Sequence, residues 1–162
     1  MLRIPTLALW FLASCGTDDT PAPTAALGGH GQPVDGIACG PERIDYHIHA
    51  HLTLYVDGQS VPVPAKIGIT TTCLYLLHTH DGTGVLHIES PIKRDFTLGQ
   101  FFDIWGQSLG PKTLLGHDGA VLAFVNGTAV AGDPRDIVFA DRDETTLELG
   151  LPVVPAATSY RF

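Results

Sequence analysis

The fold is decided by the segment YHIHAHLTLYV, residues 46–56. Apolar side chains recur at every second position from Ile48 to Val56, and His47, His49 and His51 occupy positions between them. Successive side chains of a β-strand point to opposite faces, so this period of two predicts a strand with one apolar face and one histidine face.

Two further histidine motifs follow this strand, HTHD at residues 78–81 and HIE at 87–89, with the turn sequence DGTG between them. A hairpin that is symmetric about Gly82-Thr83 pairs His78 with His87. It also places His80 and Glu89 on the same face as that pair. A slip of one residue would turn His87 to the opposite face, so the prediction depends on this register.

Imidazole is a common ligand of borderline divalent metals, and several imidazoles must converge to hold one ion. Two His-x-His pairs on neighbouring strands meet that requirement. His47 and His51 lie ~13 Å apart along a strand, too far for all three histidines of the first motif to reach one ion. We therefore predict an inner set of ligands and an outer set that binds a second ion or surrounds the first. The inner set is His49, His51, His78 and His80, and the outer set is His47 and His87.

A nitrogen-rich site suits Zn(II) or Cu(II). Glu89 or Asp81 together with two histidines would instead form a facial Fe(II) site, and Glu89 could also orient an imidazole without touching the ion. His117, in the loop GHDG, could close the site. Plain alternatives remain open for two of these residues, since Asp81 suits a turn and His117 an exposed loop.

The order of the remaining elements predicts an α+β fold. Phe96 to Gln107 has the pattern of one short helix, with Thr97 as N-cap and Gln100 completing a capping box. Strand hairpins precede and follow it, which predicts a mixed β-sheet of hairpins with one packed helix. This order resembles a β-grasp domain. The alternative is a small β-barrel or a cupin-like sandwich.

The N-terminus has the pattern of an export signal. Met1-Leu2-Arg3 precedes an apolar run that is too short to span a membrane. The run ends in LASC, residues 12–15, which resembles the lipobox of bacterial lipoproteins. That resemblance implies a signal peptide over 1–14 and lipidation of Cys15. The mature protein would then be anchored extracytoplasmically to the cell envelope, on its periplasmic or cell-surface side.

Composition divides the rest of the chain. Residues 15–41 are rich in Gly, Pro, Thr and Ala and predict a flexible tether. We assign the α+β domain to 42–151 and a C-terminal tail to 152–162. The formal net charge of −8 leaves no basic footprint for nucleic acid, and membrane contact is expected through the N-terminal lipid only.

Cysteine use agrees with export. With Cys15 assigned to the lipid, Cys39 and Cys73 remain as a pair. In an oxidising compartment a disulfide between them is the default, and thiolate ligation of metal is the alternative.

The stretch from Tyr46 to Gly106 resembles a group of secreted, histidine-rich bacterial and archaeal proteins. The resemblance is carried by IHAHL at 48–52, LHTHD at 77–81, HIESP at 87–91 and FTLGQFF at 96–102. It implies secretion and no particular activity.

Three functions fit these observations. One is an extracytoplasmic, membrane-tethered domain that binds or delivers Cu(II) or Zn(II). The second is a metalloenzyme that uses a His-ligated ion for hydration, hydrolysis or oxygen chemistry. The third is a structural or interaction lipoprotein in which metal stiffens the fold. Catalytic residues and protein partners are not indicated by any motif.

Overall fold

The computed structural model of the protein describes residues 28–162. The predicted signal peptide and lipobox lie outside these residues. In chain order the described elements are β1 (Cys39–Gly40), β2 (Tyr46–Val56), β3 (Gln59–Val61), β4 (Leu74–Tyr75), β5 (Leu77–His78), β6 (Val85–Ser90), α1 (Leu98–Trp105), β7 (Leu109–Gly110), β8 (Thr113–Leu114), β9 (His117–Asp118), β10 (Val121–Val125), β11 (Thr128–Val130), a 3₁₀ turn (Pro134–Asp136) and β12 (Glu144–Leu149).

A seven-stranded mixed sheet forms the centre, in the order β11-β10-β12-β2-β6-β5, with β3 also paired to β2. The first half of β2 pairs antiparallel with β6, and its last three residues pair with β3. On the edge opposite β6, residues 51–56 of β2 pair in parallel with β12. One helix and a predominantly β architecture agree with the predicted α+β class.

Short turns set the registers of the hairpins. The Asp57-Gly58 turn brings Leu54 opposite Val61. The turn over residues 79–84 brings His78 opposite His87, the register on which the predicted site depends. In each case the side chains that share a face are those expected from the period of two.

Helix α1 covers the apolar face of the sheet. Its N-cap Thr97 and Gln100 form the reciprocal capping box that was predicted, and the helix ends at Gly106, whose φ of 74° is readily accepted by glycine. The helix contributes its stripe of apolar side chains to one core with the inward residues of the strands. That core includes Leu98, Phe101, Phe102, Trp105, Ala50, Leu52, Leu54, Leu77, Leu86, Ile88, Leu147 and Leu149.

The segment 28–41 was predicted to belong to the tether, but it lies against the domain. Ile37 is fully buried in the core, and β1 pairs with β4. The disulfide joins Cys39 in β1 to Cys73, the residue that precedes β4, and confirms the predicted pairing of the cysteines. Within residues 28–162 there is no helix long and apolar enough to cross a membrane.

The C-terminal tail reaches the polar, histidine-bearing face of the sheet. The backbone N–H of Val154 donates to the buried carboxylate of Glu148 in β12. Further along, the ring of Tyr160 stacks on the ring of His51, with 3.7 Å between centroids. One face of the sheet is therefore covered by the helix, and the other is partly covered by the tail.

Candidate metal centre

Three neighbouring strands bring the histidines together. His49 in β2 lies opposite His87 in β6, and His87 lies opposite His78 in β5. In the next row His47 lies opposite Glu89. Because directly paired residues share a face of a sheet, these five side chains project from the face that the helix does not cover.

One set of donors is formed by His78, His80, His87 and Glu89, and we call it the inner group. Each residue offers one ligand atom, and these atoms all lie within 4.8 Å of one another. The Nε2 atoms of His78 and His80 are 3.3 Å apart. The imidazole of His78 is wholly buried, and His80 is the exposed member of the group.

A second set is formed by His47, His49 and His87, and we call it the outer group. Nε2 of His47 lies 3.4 Å from Nδ1 of His87. The side chain of His47 is 34% exposed, whereas that of His87 is 19% exposed. The outer group thus has no fully buried member, and His87 belongs to both groups.

Glu89 places a buried carboxylate between the two groups. Its Oε1 lies 3.3 Å from Nε2 of His47, 3.6 Å from Nδ1 of His87 and 3.8 Å from Nε2 of His78. Its Oε2 has no hydrogen-bond partner among residues 28–162. Burial raises the pKa of Glu89, since the charged form loses its hydration.

Three of the imidazoles near this carboxylate, those of His78, His87 and His49, have lowered pKa values. Burial lowers the pKa of His78 to about 4. Burial, together with the neighbouring imidazoles, lowers the pKa of His87 to about 4, and the pKa of His49 is also lowered, mainly by burial. At neutral pH these rings are therefore uncharged, which is the form that binds metal.

The tautomer of His78 is fixed by the backbone. Its Nδ1 lies 2.9 Å from the carbonyl oxygen of Tyr75. A carbonyl can only accept, so Nδ1 carries the hydrogen and the lone pair is on Nε2, the atom that faces His80 and Glu89. A backbone bond to one ring nitrogen that orients the other is the usual support of a metal-binding histidine.

Of the predicted inner set, His78 and His80 lie in the inner group, His49 lies in the outer group with His87 common to both, and His51 lies outside both groups. Its Nε2 donates to the carbonyl of Thr83 at 2.8 Å, and its Nδ1 lies 2.5 Å from Oε2 of Glu144. The other oxygen of Glu144 accepts from the Thr53 hydroxyl. With both ring nitrogens engaged, His51 ties the turn between the inner ligands to β12, and it offers no free lone pair.

The sequence did not predict that His51 would contact Glu144. Glu144 lies next to His51 because β12 pairs in parallel with β2. The alternation in ETTLEL, residues 144–149, was a signal that Glu144 and Glu148 share one strand face. That pattern does not predict that both glutamates are buried beside β2.

Of the three remaining candidates, Asp81 and His117 lie outside both groups. Asp81 is exposed, and its Oδ1 accepts from the backbone and the hydroxyl of Thr83, as expected of a turn residue. His117 is exposed in β9 and pairs with Leu114 in a separate small sheet. Glu89, predicted as an alternative ligand or an orienting residue, lies among the donors of the inner group.

No protein-family model, curated protein or solved structure matches this chain. The function proposed below therefore rests on the geometry, burial and charge of these side chains.

Proposed function

We propose that the domain binds a divalent transition metal ion, Zn(II) or Cu(II), through the inner group. The observation that carries this proposal is the buried carboxylate of Glu89 facing uncharged imidazoles. A buried charge is costly unless it is paired. A bound cation would supply the missing positive charge and would use the lone pairs that point at it.

The spacing of the donor atoms supports an ion of this size. A tetrahedral ion with bonds of 2.0–2.1 Å keeps its ligand atoms about 3.4 Å apart. The Nε2 atoms of His78 and His80 are separated by 3.3 Å, and Oε1 of Glu89 lies 3.6 and 3.8 Å from the nitrogens of His87 and His78. Small side-chain rotations would bring these atoms onto one ion.

The donor set favours binding over catalysis. Three imidazoles and one carboxylate fill the four positions of a tetrahedral ion, as in closed structural sites, whereas a catalytic zinc keeps one position for water or substrate. Nitrogen-rich coordination suits both Zn(II) and Cu(II). We therefore place metal holding or delivery ahead of a metalloenzyme.

The test is a titration of metal-stripped protein with Zn(II) and with Cu(II). We expect one tightly bound ion per chain by calorimetry. A free ion concentration of 100 times Kd should raise the free energy of unfolding by about 2.7 kcal/mol, seen as a higher melting temperature. If neither ion shifts the melting temperature at millimolar concentration, the proposal fails.

The metal-free protein should lose stability on acidification. Imidazole in an unfolded chain titrates near ~6.5, whereas burial holds the pKa of His78 at about 4. Between these values the unfolded chain binds a proton that the folded chain excludes. The free energy of unfolding therefore falls as the pH is lowered from about 6.5 to about 4, by about 3 kcal/mol for His78, and levels off below that range.

Denaturant unfolding in the presence of a chelator, at pH 7 and pH 4.5, measures this loss. His78→Gln should remove the part of this dependence that His78 contributes and leave the part due to His87, and His117→Ala should keep all of it, because His117 is exposed. A wild-type protein that is equally stable at both pH values would contradict the burial of a neutral His78.

We also propose that the protein is a lipoprotein of the cell envelope. The lipobox ending at Cys15 supports this location, and the disulfide fits an oxidising compartment. Intact mass spectrometry of the exported protein should show loss of residues 1–14 and a lipid on Cys15, and Cys15→Ser should release or misprocess it. A soluble native form that begins at another residue would refute the anchor.

The finer fold assignment is proposed on the strand order. The long strands β2 and β12 lie side by side in parallel at the centre of the sheet, and the helix falls between two hairpin regions. This arrangement favours the β-grasp likeness over the cupin-like sandwich.

A further inference from the structure

His47 and His49 are not needed in a single tetrahedral site formed by the inner group. They nevertheless converge with His87, which is common to both groups. The exposed fraction of the side chain is 34% at His47, 19% at His87 and 0% at His78. The outer group therefore has no member as deeply buried as His78 and Glu89, whereas His80 is the exposed member of the inner group.

We propose that the outer group is a second metal position, through which a divalent ion is loaded into the inner group. This inference rests on the proposed function and adds the route by which the ion arrives. The incoming ligand class is a hydrated divalent cation that binds nitrogen, Zn(II) or Cu(II).

The transfer exchanges ligands one at a time. An ion held by His47, His49 and His87 lies beside Oε1 of Glu89, which is 3.3 Å from Nε2 of His47. The same oxygen is 3.8 Å from Nε2 of His78. Glu89 and His87 can therefore stay near the ion while His47 and His49 leave it and His78 and His80 replace them. The metal-bound imidazoles are neutral in both positions, and the exchange needs no oxidant or reductant.

Because the two positions share His87 and lie beside the same Glu89 carboxylate, an ion in one position disfavours an ion in the other. Two divalent ions repel with four times the energy of two unit charges at the same separation. Among the donors of both groups only Glu89 carries a negative charge to offset that repulsion. One chain should therefore hold a single ion tightly at a time.

Charge also favours the outer side as the route. The exposed inner ligand, His80, lines a surface cleft together with Lys66, whose ammonium group repels an approaching cation. On the outer side, the carboxylate of Asp141 accepts from the backbone N–H of His49 and lies 3.9 Å from Nε of Arg142. A cation approaching His49 therefore meets a guanidinium that is paired with a carboxylate, whereas one approaching His80 meets the ammonium group of Lys66.

The experiment compares rates and equilibria for Zn(II) in the full chain. Stopped-flow competition with a chromophoric chelator gives the association and dissociation rate constants, and calorimetry gives Kd and stoichiometry. For the variant with His47→Ala and His49→Ala we expect both rate constants to fall at least tenfold while Kd changes less than threefold. Residues that hold the ion only in transit change the activation free energies of binding and of release equally, so Kd stays nearly the same. His117→Ala serves as the matched control and should leave the rates and Kd unchanged.

Three results would overturn the inference while leaving the proposed function intact. One is a Kd that rises with faster dissociation, which would make His47 and His49 ligands of the final site. Another is an unchanged pair of rate constants. The third is tight binding of two ions per wild-type chain.

In support, the variant with His78→Ala and His80→Ala should keep weak binding of one ion, and that binding should vanish when His47 and His49 are also replaced. Absence of any tight Zn(II) or Cu(II) site in the wild type would instead refute the proposed function itself.

Discussion

Replacing His78 and His80 together by Ala should lower the affinity for Zn(II) by at least about a thousandfold, or about 4 kcal/mol. The reason is that this pair supplies two donors of the inner group, whose Nε2 atoms are 3.3 Å apart. The ion would retain His87 and Glu89, and only the weaker outer histidines could replace the lost donors. Calorimetric titration of the metal-stripped variant measures the loss.

Two control variants distinguish the loss of metal ligands from a disturbance of the fold. His78 is fully buried, so its truncation to Ala leaves a cavity that could disturb the sheet. The variant with His78→Gln and His80→Gln keeps most of the side-chain volume and should lose Zn(II) affinity to the same extent. His117→Ala, on an exposed residue of a separate sheet, should bind as the wild type does. Wild-type affinity in the Gln variant would mean that the metal binds elsewhere.

The parts of the site that sequence could predict are those set by local rules. The alternation in residues 46–56 fixes which side chains of β2 face away from the helix. The turn between His80 and Val85 fixes the pairing of His78 with His87, and hence the face on which Glu89 lies. The capping box at Thr97 fixes the start of the helix. Each depends on residues close together in sequence, so pattern and turn chemistry suffice.

The part that sequence could not predict depends on a distant strand. His47, His49 and His51 share a face and a residue type, so the pattern alone gives no reason to separate them. They differ because β12 pairs in parallel with β2 and brings Glu144 to His51, 93 residues away in the chain. Glu89 has no such neighbour for its Oε2. Long-range pairing therefore decides which histidine is structural.

The segments at the two ends of the described chain show the same limit. Residues 28–41 have a tether-like composition, yet one apolar side chain, Ile37, is fully buried, and a disulfide joins Cys39 to Cys73, next to β4. At the other end Tyr160 stacks on His51 from a stretch without any periodic pattern. Single anchoring contacts of this kind leave no signal in composition or period.

Glu89→Gln should change metal affinity and metal-free stability in opposite directions. The substitution keeps the shape of the side chain and removes its charge. Zn(II) affinity should fall about a hundredfold, or about 3 kcal/mol, because the ion loses the one anionic donor of the inner group. The metal-free protein should gain stability, on the order of 1 kcal/mol, because a buried carboxylate with an unpaired oxygen is no longer desolvated on folding. Calorimetry and denaturant unfolding with a chelator measure the two effects.

Glu144→Gln is the matched control, since Glu144 is an equally buried glutamate on the same face of the sheet. Its carboxylate is already satisfied by His51 and Thr53, so loss of its charge should destabilise the metal-free protein by roughly 3 kcal/mol. Zn(II) affinity should stay within threefold, because Glu144 belongs to neither donor group. If both substitutions destabilised the protein and neither weakened metal binding, Glu89 would be a structural residue like Glu144, and the inner group would lose its anionic ligand. If instead Glu89→Gln stabilised the metal-free protein and Glu144→Gln destabilised it, Glu89 would be identified as a carboxylate that folding leaves unpaired and that the metal ion pairs.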